Sequence, residues 1–378
     1  MISTNRVSLN ARAGLAQSIE TAAPSPTSRP RIAWIDYARG FSILIVVVGH
    51  VVLGLQATGL LDDGPLLRIW DARYYNVRMP LFFVLSGLFA ERWAGRRVDD
   101  FLRDKGATIV YPFFVWATLQ TLIQVAINPI THGNLTLWHV VRQPVLPDGQ
   151  FWFLHVLFCV MLGYFLLRKA GLSPTACLVV ALGCYAMQGE DPQSSPLPLD
   201  RALYYAPFYA IGGLAGTLVS RIRIERASHL AAIAIAGFGA LAAAVRHGGE
   251  PPLPIQLAAA LCGIAGAIAL TALLSRSRFT GFLTILGRHS LEIFVAHMLS
   301  AAGLRIALHR FLHVENAAAH LILGSIAGIV GPLLLVWLCN RLGIRYAFRL
   351  PRPPKPARAE SSPQPAPRPS LALARASG

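Results

Sequence analysis

Charge is scarce in this sequence. Of its 378 residues only 14% are Asp, Glu, Lys or Arg, against 54% hydrophobic. Soluble domains carry about 25% charged residues, so the chain reads as an integral membrane protein. Cysteine is also rare. Cys159, Cys177, Cys184, Cys262 and Cys339 all fall in apolar runs and lack the close spacing of metal ligands. That argues against a metal centre or a disulfide framework and leaves five small buried side chains. There is no P-loop, no dinucleotide glycine fingerprint, no H-E-x-x-H and no C-x-x-C. No internal repeat of about 20 to 50 residues stands out. A continuous apolar leader is missing from residues 1–30, which are rich in Ala, Ser and Pro and are expected to be a disordered cytoplasmic tail. Residues 346–378 are expected to be a second disordered tail, basic and rich in Pro and Ala.

What remains, residues 31–345, is dominated by apolar runs. Ten of them are candidate spans: 33–55, 76–92, 107–128, 150–167, 172–189, 203–219, 229–246, 255–274, 286–308 and 318–340. The expected fold class is therefore all-α, a polytopic transmembrane bundle. A short interfacial helix is expected near Leu135–Arg142. With the N-terminus inside, 25 of the 34 Lys and Arg residues fall on cytoplasmic segments. Every alternate loop then obeys the positive-inside rule, and both termini are cytoplasmic. The net charge of +16 is thus topological, and no nucleic-acid partner is needed to explain it.

Three ionisable groups interrupt the first span: Asp36, Arg39 and His50. Arg39 and His50 are 11 residues apart, which at about 100° per residue puts them on one helix face, roughly 16 Å apart along the axis. Asp36 is three residues before Arg39 and can pair with it. Charge within a bilayer is costly and faces a bundle interior or a wet cavity. His50 is therefore either a functional group aligned with Arg39 or a core histidine hydrogen-bonded to a neighbouring helix. In the second span, Arg78 stands at the outer end, as a snorkelling arginine or as a functional cation. Ser86 and Gly87 lie mid-span, where small residues let another helix approach. The inner loop carries Arg103 and Lys105, a basic cluster that satisfies the positive-inside rule and can also hold a phosphorylated ligand. Trp152 and His155 open the fourth span at the outer face, and Trp152 can sit at the interface or stack on a sugar ring. Glu292 and His297 are two more ionisable groups in the ninth span. Their spacing of five residues puts them on different faces.

These stretches, in this order, resemble the acyltransferase-3 family of membrane O-acyltransferases. The resemblance rests on Arg39-x10-His50 within WIDYARGFSILIVVVGHV, then RMPLFFVLSGLFA, YPFFVW, FWFLHVLF and LGRHSLEIFVAH. It covers residues 31 to 340, and its opening is most similar to sugar O-acetylases. Many relatives have a histidine where this chain has Arg78, and an Arg-x-x-Arg pair where it has Arg103-Asp104-Lys105-Gly106.

The resemblance implies a multi-pass protein of the inner (plasma) membrane, embedded in the lipid bilayer. It implies an acyl-CoA co-substrate on the cytoplasmic side, acetyl-CoA first, and a glycan acceptor hydroxyl outside, with no bound cofactor and no metal. His50 is then a general base or an acyl-carrying nucleophile. Arg78 stabilises the oxyanion. Arg39, Arg103 and Lys105 hold the donor, while Asp36, Ser86, Trp152, His155, Glu292 and His297 line the substrate path. The reading from another class is a proton-coupled transporter or flippase of a sugar or lipid-linked substrate, with His50, Glu292 and His297 relaying protons. No inverted repeat or matched pair of broken helices supports it.

Overall fold

The computed structural model of the protein describes residues 33–61, 77–131, 134–188, 197–218, 226–246 and 252–350. Among the described residues every regular element is a helix. Residues 1–32 and 351–378, and so nearly all of both expected tails, lie outside them.

Helix α1, Ala33–Gln56, is one unbroken element. At about 1.5 Å per residue it is roughly 36 Å long, enough for a hydrocarbon core of about 30 Å. The second apolar run is the shorter helix α2, Val77–Gly87, followed by a turn and the four-residue α3, Glu91–Ala94. Next comes α4, Val98–Lys105, which passes through a π turn at Gly106–Val110 into α5, Tyr111–Thr131. Pro112 accounts for that turn. It cannot donate to the carbonyl of Thr108, and its ring crowds that carbonyl, so the backbone widens just before it.

The chain then makes the short α6, Trp138–Arg142, where the interfacial helix was expected. It continues into α7, Trp152–Lys169, and α8, Pro174–Ala186. The second half contains α9, Pro198–Leu218; α10, Ala227–Arg246; and α11, Leu253–Leu274. It ends with α12, Phe282–Arg288; α13, Ser290–Ile306; and α14, Ala317–Arg341.

Among the described residues, helix occupies part or all of each of the ten expected spans, and seven helices are long and apolar enough to cross a membrane by themselves. The runs Val77–Gly87 and Pro174–Ala186 are shorter apolar helices, reaching about 16 and 20 Å at helical rise. Helix α9 opens on Asp200 and Arg201, and its Tyr204, Tyr205, Phe208 and Tyr209 are buried.

Helix α1 is the central post and packs against α11, α12, α13 and α14. The α2–α9 contact depends on glycine. A Cβ on Gly87 would strike the Tyr209 carbonyl, and one on Gly212 would strike that of Val84. The close approach expected beside Ser86 is therefore real, and Gly87 makes it.

The segment between α5 and α7 folds back into the bundle. The Gln143 Nε2 donates to the Thr121 hydroxyl (2.6 Å) and to the Ala117 carbonyl (3.1 Å). Gln120 and Gln150 exchange amide hydrogen bonds of 2.8 and 3.3 Å. All three glutamines are buried, so each amide must find its partner inside the protein.

One boundary moves. Residues 346–350 pack against the bundle and belong to the folded part. Phe348 is buried and stacks on Trp116 at 5.1 Å. The Trp116 indole donates to the Ala347 carbonyl (2.8 Å), the Tyr111 hydroxyl to the Tyr346 carbonyl (2.8 Å), and the Leu350 amide to Ala107 (3.3 Å). Burial of Phe348 and these satisfied polar groups hold a stretch whose composition reads as tail.

Candidate active site

The site is built on α1 and α13. His50 and His297 are 247 residues apart in sequence, yet His297 Nε2 lies 3.3 Å from His50 Nδ1. Their ring centroids are 5.0 Å apart. His297 is fully buried and His50 is half-buried, so of the two rings only His50 is partly exposed.

The backbone decides which nitrogen is basic. His50 Nδ1 sits 2.9 Å from the Val46 carbonyl. His297 Nδ1 sits 3.0 Å and 2.8 Å from the carbonyls of Ile293 and Phe294. A carbonyl only accepts, so in the neutral rings both Nδ1 atoms carry the proton. His297 Nε2 is then an acceptor aimed at the His50 Nδ1–H, and the lone pair of His50 is left on Nε2. Arg78 is buried at the start of α2.

A chain of aromatic rings runs from this pair to Trp152 at the start of α7. Phe294 lies 6.1 Å from His297, Phe153 lies 5.2 Å from Phe294, and Phe83 lies 5.4 Å from Phe153. Phe83 stacks on Tyr205 at 4.6 Å, Tyr205 on Trp152 at 5.6 Å, and the Arg201 guanidinium covers Trp152 at 4.9 Å. Trp152 is thus joined to the histidine pair. His155 is not: it lines an apolar recess with Val110, Phe113, Phe114, Pro144, Leu154 and Phe158, none of them on α1, α2 or α13.

At the end of the bundle that holds the start of α1, the inner end in the expected topology, the cations sit on rings and carboxylates. Arg39 and Arg92 flank the Phe89 ring at 5.2 and 4.5 Å, and Lys105 lies over Trp93 at 4.6 Å. Arg103 is exposed. Asp36 is buried, with Arg288 Nε 3.7 Å from its carboxylate, a contact from α12 that residue spacing does not suggest. Glu292 accepts a 2.7 Å hydrogen bond from Arg349 and so tethers the 346–350 segment. Ser86 is half-buried on α2, beside the close approach to α9.

A family model described as an acyltransferase domain matches residues 32–341. The chain belongs to the acyltransferase-3 family. No curated protein and no solved structure gives a match. The protein is therefore a multi-pass membrane acyltransferase. The meeting of His50 with His297 was not visible in residue spacing, because helical periodicity relates positions within one helix and says nothing about partners on another.

Proposed function

We propose that this acyltransferase moves an acyl group, acetyl first, from cytoplasmic acyl-CoA to a hydroxyl of a cell-surface or exported glycan. It does so from the inner membrane, with ten segments at membrane depth and both termini cytoplasmic. The observation that carries this reading is the His50–His297 pair, whose hydrogen bonds leave a lone pair on His50 Nε2.

In the proposed reaction, His50 Nε2 takes the proton of the acceptor hydroxyl as its oxygen attacks the thioester carbonyl. The new C–O bond forms, the oxyanion collapses, and the C–S bond breaks. The proton on His50 then passes to the departing thiolate. His297 Nε2 accepts from His50 Nδ1–H throughout and steadies the imidazolium. Arg78 supplies positive charge near the developing oxyanion. Trp152, beneath Arg201, offers the outer aromatic surface on which a sugar ring stacks. Arg39, Arg92 and Lys105 are at the inner mouth, where they meet the phosphates of the donor.

Purified protein in lipid nanodiscs, given radiolabelled acetyl-CoA and an oligosaccharide, should yield labelled sugar and free CoA. Labelled protein accumulating in place of labelled sugar would replace the direct route with an acyl-histidine route. No consumption of acyl-CoA by folded protein would overturn the reading.

A further inference from the structure

Arg305 is the cation that the mechanism leaves unused. It lies near the outer end of α13, half-buried. The pairs His50–His297 and Gly54–Arg305 advance together along α1 and α13, so the two helices run side by side in the same direction. Gly54 is four residues beyond His50, one helical turn or about 6 Å further along α1. The guanidinium lies over Gly54, and a Cβ there would collide with Nη1. The missing side chain makes a recess that seats the arginine one turn outward of the candidate base.

Among the described residues no carboxylate lies within ion-pair distance of Arg305, and none of its nitrogens has a hydrogen-bond partner. The inner-end arginines are treated differently: Arg168 is held by Glu91, Arg349 by Glu292, and Arg288 sits by Asp36. A partly desolvated guanidinium without a counter-charge is unfavourable. An anion arriving with the substrate would supply one, and the guanidinium fork matches carboxylate or phosphate oxygens in pairs.

We infer that Arg305 binds an anionic group, carboxylate or phosphate, on the acceptor, and so selects acidic glycans. This rests on the proposed acyl transfer and names the class of acceptor for that same site. A hexuronate carries its carboxylate a few bonds from its hydroxyls, which suits a hydroxyl at His50 and a carboxylate one turn further out.

The test compares transfer to glucuronate- and glucose-terminated oligosaccharides in nanodiscs, with acyl-CoA hydrolysis followed alongside. The wild type should prefer the acidic acceptor. In Arg305→Gln that preference in kcat/KM should fall about 10- to 100-fold, the size of one or two charge-assisted hydrogen bonds. Gly54→Ala, which leaves the arginine in place chemically but evicts it from its recess, should reproduce the loss. Arg305→Lys should fall between the two.

A wild type that turns over acyl-CoA but shows no acidic preference, or a preference unchanged in Arg305→Gln, would overturn the assignment and leave the acyl transfer standing. An unchanged preference with melting that has lost its response to phosphatidylglycerol would give Arg305 to lipid phosphate instead. No acyl-CoA turnover by folded wild type would overturn both.

Discussion

The two ends of this bundle handle charge in opposite ways. At the inner end, Arg168 and Tyr164 converge on Glu91, Arg349 reaches Glu292, and Arg39, Arg92 and Lys105 lie on aromatic faces. Around the histidine pair the charged groups are a buried Arg78 and Arg305 over a glycine, and beyond them Arg142 pairs with Asp148 and Arg201 covers Trp152. The cations held by Glu91, Glu292 and Asp36 are tied into structure, and Arg305 beside the histidine pair has no carboxylate partner among the described residues. A change in the carboxylate-held framework should therefore show first in stability, and a change at the histidine pair first in rate.

The largest effect is expected at His50. His50→Gln keeps the size and most of the hydrogen bonding but cannot take the proton. Acyl transfer should fall about 10²- to 10⁴-fold, with membrane abundance and melting near wild type. Loss of abundance along with activity would make His50 a core histidine and erase the contrast between the two ends.

The inner end gives the next effect, and it should be one of stability. Phe348→Ala removes a buried ring that stacks on Trp116. Large-to-small changes of this kind cost about 3–5 kcal/mol, so the melting temperature should drop clearly. A chain ending at Arg345 should behave like this variant, and one ending at Leu350 like the wild type. Equal melting of the two truncated chains would show that residues 346–350 add nothing to the fold.

That boundary shows where residue reading stops. The unbroken first helix, the short helix at 138–142 and the close approach at Gly87 were all legible, since each follows from local pattern. Tyr346 to Leu350 were not, because low-complexity flanks disguise one buried phenylalanine. The lengths of the runs at 77–87 and 174–186 were not either, since an apolar run does not tell where its helix stops. Of the site, Arg39 and His50 stood out as charge within an apolar run. The tie between Glu292 and Arg349, and that between His50 and His297, depend on packing between distant segments.

A smaller effect belongs to His297. His297→Leu removes the side-chain acceptor that shares the His50 Nδ1–H with the Val46 carbonyl, so kcat should fall up to about tenfold, the size of one hydrogen bond to a charged group, with donor KM unchanged. His297→Gln retains an acceptor oxygen and should recover part of the loss. A merely packing role would give the opposite order, because Leu suits an apolar surrounding better. The smallest effect is expected for Arg39→Lys, which keeps charge but not the planar fork. Donor KM should rise several-fold with kcat little changed, and wild-type kinetics would return Arg39 to its place on the Phe89 ring alone.

The central claim is that His50 and His297 act as one unit, and a double-mutant cycle on acyl transfer tests it most directly. Groups that act together lose their effect together. In a His50→Gln background, His297→Leu should therefore cost nothing further in kcat, with folded protein confirmed by its melting. A full, independent tenfold loss from His297→Leu in that background would contradict the account.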